Sequence, residues 1–332
     1  MEGAYYNGQY LNRLERLGYS QAEIDNKLES TFEEMFYGPE GVRLCHCAGP
    51  DMMYIEDTGN HDVRTEGMSY AMMFCVQMNR QKEFDCLWRW VVTHMYLTEG
   101  ENAGYFAWSC HTDGSKNSDG PAPDGEEFFA MSLFFAANRW GSGEGVLDYA
   151  SWARRILHAC VHKGEEAGSG FPMWNPENHL IKFIPNCEFT DPSYHLPHFY
   201  ELFALWSDEC DRPFWHAAAA ASRQYLRKAC HARTGLSAEY AEYDGRPHRG
   251  DQPDRHDWFF SDAYRTLGNI ALDAQWFGDK DGWAQETAAH IQQFFEEKEH
   301  GQTNGIYLID GTPVEGNALH PVGFWLPLRR VP

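Results

Sequence analysis

The stretch Asp62-Val63-Arg64-Thr65-Glu66-Gly67-Met68-Ser69-Tyr70-Ala71-Met72-Met73 decides how the rest of the chain is read. Thr65 can cap a helix, which places Glu66 in the first turn, where the helix dipole favours a carboxylate. Gly67 and Ser69 keep the surroundings of that carboxylate small, so that something bulky can approach it. Behind them Met72, Met73, Val76 and Met78 supply apolar side chains for burial. Alone, an acid in a first turn says only that a helix begins there. The same arrangement comes back, and the recurrence carries the reading.

Four times a long Gly- and Pro-rich loop ends in an acid that opens an apolar helix, and a short turn then leads to a second helix. The openers are Glu66, Asp124, Asp191 and Asp262. Apolar periodicity predicts the paired helices over 66–79 and 84–96, 128–140 and 146–163, 196–207 and 214–233, and 264–276 and 283–297. A further helix precedes them, opened by the capping-box pattern Ser20-Gln21-Ala22-Glu23 and running to Tyr37. Helical hairpins of this kind cannot each bury an apolar face alone, so they should stack or close into a ring. Short connections within pairs and long ones between pairs put the long loops and the opening acids at one end. Four ordinary first-turn acids then become a cluster of carboxylates in one cleft.

Composition narrows the class of partner. The 332 residues are 43% hydrophobic, enough for a large core. A net charge of −22 argues against nucleic acid or an anionic membrane surface. The chain holds 12 Trp, 17 Tyr and 21 Phe, and aromatic faces together with acids are what neutral sugars meet, although most of these rings should be core. The nine cysteines are scattered and odd in number, which suits reduced thiols better than a disulfide framework. Cys45, Cys47 and His61 fit the spacing of no closed zinc site, and neither metal nor cofactor is expected. The first residues lack the basic start and apolar run of a signal peptide, and no stretch reaches the roughly 20 apolar residues of a membrane span. A soluble cytoplasmic protein is the expectation.

Two carboxylates across an aromatic-lined cleft are what glycosidic hydrolysis needs, one held protonated and the other ionised, and spacing alone does not say which is which. The residues also match a family. Thr65-Glu66-Gly67-Met68-Ser69-Tyr70, Ala122-Pro123-Asp124-Gly125-Glu126-Glu127-Phe128-Phe129-Ala130-Met131 and Ser261-Asp262-Ala263-Tyr264-Arg265 resemble glycoside hydrolase family 8, in order and over most of the chain. The resemblance implies an all-α fold, an (α/α)6 barrel, and hydrolysis that inverts the anomeric centre. The segment Asn317-Ala318-Leu319-His320-Pro321-Val322-Gly323 is similar to the loop of family members that release xylose from the reducing end of xylo-oligosaccharides. By resemblance Glu66 is the general acid and Asp262 the general base. Asp124 would hold and distort the xylose at the −1 subsite, Tyr194 would orient the attacking water, and Arg265 would fix the surroundings of the base. His320 would bond the reducing-end hydroxyl at +1, with Leu319 and Pro321 closing the cleft beyond it. Trp108 is the candidate for a ring stacked on a sugar face, and Asp191 is expected only to cap the turn before Pro192.

One departure stands out. In the family the His-Pro segment leads into another helical pair, whereas Gly323 in this chain is followed by Phe324-Trp325-Leu326-Pro327-Leu328-Arg329-Arg330-Val331-Pro332, which has no helical period. The expectation is one barrel domain over 1–323, incomplete at its C-terminus, with an atypical tail over 324–332 that resembles a frameshifted or shortened end. Apolar faces of the first and last hairpins would then be exposed unless covered. Other readings are an endo-acting β-1,4-xylanase, endoglucanase or chitosanase of the same family, and a sugar-binding α/α toroid without catalysis. A binder would not need both Glu66 and Asp262, an epimerase would want histidines in their place, and an enzyme for uronic acids would want Arg or Lys in the cleft loops.

Overall fold

Two short helices, α1 (Ala4–Asn7) and α2 (Arg13–Arg16), lead to the helix announced by the capping box. Ser20 Oγ accepts the Glu23 N–H while the Glu23 carboxylate accepts the Ser20 N–H at 2.8 Å, and α3 follows over Gln21–Tyr37. The computed structural model describes residues 2–165, 169–250, 255–319 and 321; the expected tail over 324–332 lies outside the described residues.

All four expected helix pairs form: α4 (Thr65–Gln77) with α5 (Gln81–Trp90), α6 (Pro123–Trp140) with α7 (Tyr149–His162), α8 (Pro197–Trp206) with α9 (Arg212–Ala229), and α10 (Arg265–Phe277) with α11 (Trp283–Glu299). Helix α5 ends in a wider π-helical turn, Val91–Met95, rather than continuing regularly. Each first helix packs on the next, α4 on α6, α6 on α8 and α8 on α10, while each second helix lies against its own partner. The sequence shows why the layers differ. Helix α6 buries Phe129, Met131, Leu133, Phe134 and Ala136 together with its whole first turn, so nearly every face is covered. Helix α5 buries Phe84, Leu87 and Trp88 on one side and leaves Lys82 exposed on the other. Trp88, Trp90, Trp174 and Trp215 are fully buried, and burying a large apolar side chain contributes about 1.5–3 kcal/mol each.

The described residues are mostly helical in their regular structure, as the all-α expectation has it, and also carry seven short strands in the long loops. β1 (Cys45–Cys47) pairs with β2 (Met53–Ile55), β3 (Asp62–Arg64) with β4 (Ser109–His111), and β5 (Trp258–Phe259) with β6 (Ile306–Leu308), which also pairs with β7 (Pro313–Val314), all antiparallel. Strands of two or three residues leave no alternation to read. Cys45 is buried and Cys47 exposed at the two ends of β1, and all nine cysteines are unpaired. No helix among the described residues is long and apolar enough to cross a membrane.

The β3–β4 pair corrects how α4 begins. Arg64, extended in β3, occupies the N-cap without a side-chain cap, and the Thr65 N–H donates instead to the Trp108 carbonyl at 3.0 Å. Ser69 turns inward and is buried, its hydroxyl donating to the Glu66 carbonyl, so it does not open the approach to that carboxylate. A cavity of about 590 Å³ runs from Tyr70, Asp124 and Arg265 down past Met73, Phe74, Leu272 and Gln275, between α4 and α10. Phe74 stands 47% exposed on its wall.

The starts of α4 and α6 press together at one point: a Cβ at Gly125 would lie 2.5 Å from Thr65 Cβ. Gly125→Ala must therefore push the two helix starts apart. We expect it to destabilise the fold by about 1–3 kcal/mol in denaturant unfolding. Unchanged stability would mean that the two helix starts are not in such contact.

Candidate active site

A 3₁₀ turn over Ser261–Tyr264 runs directly into α10, so Asp262 and Arg265 stand three residues apart on one side of a continuous helical ramp. Arg265 is the hub of the site. Its Nη1 donates to Asp124 Oδ2 at 2.8 Å and to the Tyr70 hydroxyl at 3.1 Å, and its Nη2 lies 3.5 Å from Asp262 Oδ2. The guanidinium carbon sits 5.5 Å from the centre of the Tyr194 ring. Burial alone would lower the pKa of this arginine, but Tyr70, Asp262, Asp124 and Asp191 outweigh it and hold the group charged. The four opening acids thus gather around one cation.

Depth separates their chemistry. Asp124, in the first turn of α6, is 3% exposed and takes the Gly125 N–H on its second oxygen at 3.0 Å. Burial pushes its pKa up and the Arg265 ion pair opposes that. Glu66, in the first turn of α4, makes no ion pair among the described residues; its Oε2 is 3.4 Å from the Thr65 hydroxyl. Burial first and the Asp124 charge second push Glu66 up to about 7; Arg265 opposes them, and Asp262 adds the smallest contribution. Asp262 lies ahead of its helix rather than in it, and 47% of its side chain is open to solvent. Glu126 and Glu127, just beyond Asp124, are fully buried with no ion pair among the described residues, and burial holds both well above the usual carboxylate range.

The turn that carries Tyr194 is built from the same loop logic. Asp191 caps Pro192–Tyr194 by accepting the Ser193 N–H at 2.6 Å, as expected, but its buried carboxylate also faces Arg265. Asn269 of α10 donates to the Ser193 carbonyl at 2.7 Å, and the Tyr200 hydroxyl to the Tyr194 carbonyl at 3.2 Å. The ring of Tyr194, a residue only 6% exposed, is thereby fixed against Arg265. Trp108 stands at the start of α4, partly exposed, with the Arg64 guanidinium 5.2 Å from its ring centre. Leu319 is 59% exposed, the Pro321 carbonyl accepts from the Thr303 hydroxyl at 2.9 Å, and His320 lies outside the described residues.

Glu66, Asp124, Tyr194, Asp262 and Arg265 therefore meet, with Trp108 at the edge of the same helix start. One participant is not singled out by the sequence: Tyr70 follows Glu66 by four residues, one helical turn, and that spacing is the available signal. Asp191 belongs to the expected cluster of opening acids, with no role expected there beyond its cap. A carboxyl kept protonated near neutrality, with a second carboxylate open to water nearby, can give a proton at one side of a bond while activating water at the other. Helical hairpins presenting such a pair define an acid–base hydrolase site.

Comparisons agree with that class. The family described as glycosyl hydrolases family 8 matches residues 19–318. The "Reducing end xylose-releasing exo-oligoxylanase" of Halalkalibacterium halodurans is 54% identical over 323 residues, 97% of this chain and 82% of that protein. A structure of Rex8A from Paenibacillus barcinonensis, a glutamate-to-alanine variant complexed with an α-L-arabinofuranosyl-xylotetraose, superposes with a TM-score of 0.93 at 53% identity, covering 98% of this chain and 84% of that one. "Endoglucanase 2" of Ruminiclostridium josui is more distant, 26% identical over 91% of this chain and 61% of its own. The chain belongs to glycosyl hydrolase family 8.

The electrostatics of the site can be read directly. Infrared or carbon-13 titration of Glu66 should give a midpoint near 7. Asp124→Asn removes the largest neighbouring negative charge and should lower that midpoint, while Arg265→Met removes the opposing cation and should raise it. A Glu66 midpoint at the ordinary glutamate value in the parent protein would overturn this account of the cluster.

Proposed function

We propose that the protein releases xylose from the reducing end of β-1,4-xylo-oligosaccharides by one inverting displacement. The observation that carries the mechanism is the asymmetry of the carboxyls: Glu66 pushed up to about 7 by burial and Asp124, and Asp262 nearly half open to solvent. In this reading Glu66 gives its proton to the glycosidic oxygen as the bond from that oxygen to the anomeric carbon breaks. Asp262 takes a proton from a water that attacks the same carbon from the opposite face, and the β-linkage yields an α-hemiacetal. Asp124, paired with Arg265, bonds hydroxyls of the sugar at −1 and helps distort it. Tyr194, packed against Arg265, orients the water with Asp262, and Trp108 stacks on a sugar face.

The choice of substrate and of exo action rests on the relatives: identity of 54% to an enzyme of that name against 26% to an endoglucanase. His320, between Leu319 and Pro321, would bond the anomeric hydroxyl of the single sugar at +1 while its neighbours block a longer chain. We also propose that the successive packing of α4, α6, α8 and α10 belongs to a single (α/α)6-barrel domain over residues 1–323. A cytoplasmic location fits nine unpaired cysteines.

Glu66→Gln and Asp262→Asn should each lower kcat on xylotriose by a factor of about 10² to 10⁴ or more with the fold intact. A proton NMR time course should show the α-anomer of the new end first; β-product first would require a retaining mechanism. Either variant turning over at a near-normal rate would remove its residue from the acid–base pair.

Substrate choice has its own test. Xylotriose should be cleaved far faster than the same trisaccharide reduced at its end. His320→Ala should cost about 1–3 kcal/mol in kcat/KM on xylotriose and narrow that preference, since a site built to bond a hydroxyl is left unpaired without it. Equal hydrolysis of the two substrates by the parent protein would shift the assignment to endo action on xylan-type chains.

A further inference from the structure

We infer that His158, His162 and Asp211 form a binding site for a divalent transition-metal ion of the zinc class, sharing no residue with the carboxylate cluster around Arg265. His158 and His162 are four residues apart in α7, so their rings lie on one helix face, with centres 4.6 Å apart. Asp211 comes from another hairpin, at the N-cap of α9. An aspartate there normally bonds the free N–H groups of the first turn, yet its side chain caps nothing. The carboxylate, 2% exposed, turns to the histidine pair instead: Oδ1 is 2.8 Å from His162 Nε2 and Oδ2 is 3.6 Å from His158 Nδ1.

Oδ2 is the telling atom. It is buried and has no hydrogen-bond partner among the described residues, a costly state for a carboxylate oxygen unless something else satisfies it. One donor atom from each of the three residues falls within 4.8 Å of the others. A tetrahedral zinc ion, with its nitrogen and oxygen ligands about 2.0–2.2 Å away, separates its donors by roughly 3.3 Å. His162 Nε2 lies 2.8 Å from one Asp211 oxygen and His158 Nδ1 3.6 Å from the other, so an ion would replace the His162–Asp211 contact and draw in donors that now lie within 4.8 Å of one another. The surroundings also suit a metal. Glu165 Oε2 is 2.8 Å from His162 Nδ1, the carboxylate behind an imidazole that fixes its tautomer and leaves Nε2 to coordinate. Two imidazoles and one carboxylate favour zinc-class ions over magnesium or calcium, which want oxygen throughout. The histidine side chains are 41% and 26% exposed, so the ion has a way in and water can complete its shell. Bound there, it would tie the end of α7 to the start of α9.

The alternative is a plain ion pair between a protonated His162 and Asp211, and the two differ in stoichiometric metal uptake. Chelator-stripped protein should bind one equivalent of Zn²⁺ near pH 7.5 by calorimetry, in the micromolar range or tighter, and Co²⁺ with the visible spectrum of a tetrahedral site. Zn²⁺ should raise Tm by about 2–4 °C while Mg²⁺ leaves it unchanged. His158→Gln, at a half-exposed position, and Asp211→Asn, nearly equal in size, should each weaken binding about 10- to 100-fold. Absence of saturable Zn²⁺ binding, or unchanged affinity in folded His158→Gln protein, would overturn the assignment.

Discussion

One guanidinium holds the site together. Arg265 reaches Asp124 and Tyr70 directly, stands near Asp262 and Asp191, and packs on Tyr194. Without it a buried cluster of acids would lose its compensating charge, and breaking a buried pair from one side generally costs about 3–5 kcal/mol. The same cation reaches the carboxyls unequally. Asp124 has it at 2.8 Å, Glu66 feels it only through space, and Glu126 and Glu127 bond elsewhere, to the Phe106 N–H and the Tyr200 hydroxyl. Arg265 opposes the upward push of burial on Glu66, Asp124, Glu127 and Asp191, and burial remains the largest influence on each.

The helical hairpins supply this arrangement by where each acid falls relative to its helix. Glu66 and Asp124 sit inside first turns, drawn into the packed contact between α4 and α6 that Gly125 permits. Asp191 and Asp262 come earlier, at the 3₁₀ turns that precede α8 and α10. Asp191 is folded under by its bond to Ser193, whereas Asp262 is left nearly half open. Asp191 and Asp262, alike in their place before a helix, thus differ in burial, one covered and the other open to water.

Much of this was legible because the signals were long or repeated. Four apolar helix pairs, each announced by an acid after a Gly- and Pro-rich loop, need only periodicity and punctuation to be seen, and the motifs around Glu66, Asp124 and Asp262 added the family. The capping box at Ser20 is local chemistry and could be read as such. What was missed depends on partners far away in the chain. Tyr70 looks like one more aromatic in an apolar helix until Arg265, 195 residues later, is placed against its hydroxyl. Thr65 has the composition of a cap, but β4 brings the Trp108 carbonyl to its N–H and makes a side-chain cap unnecessary. The strands themselves are pairings of two or three residues, shorter than any alternation a sequence can display.

The glutamates behind Asp124 have a consequence for the protein as a whole. In the unfolded chain Glu126 and Glu127 would lose their protons in the ordinary carboxylate range, while in the folded protein burial retains them far above it. The folded state therefore binds more protons than the unfolded state from mildly acidic pH upward, and its stability declines as pH rises through that window. The hydroxyl of Tyr200 and the N–H of Phe106 each bond one of these side chains and soften the effect without removing it. Alkaline conditions thus weigh on two buried acids that sit in α6 directly after Asp124, one of them bonded to the same Tyr200 hydroxyl that holds the Tyr194 carbonyl.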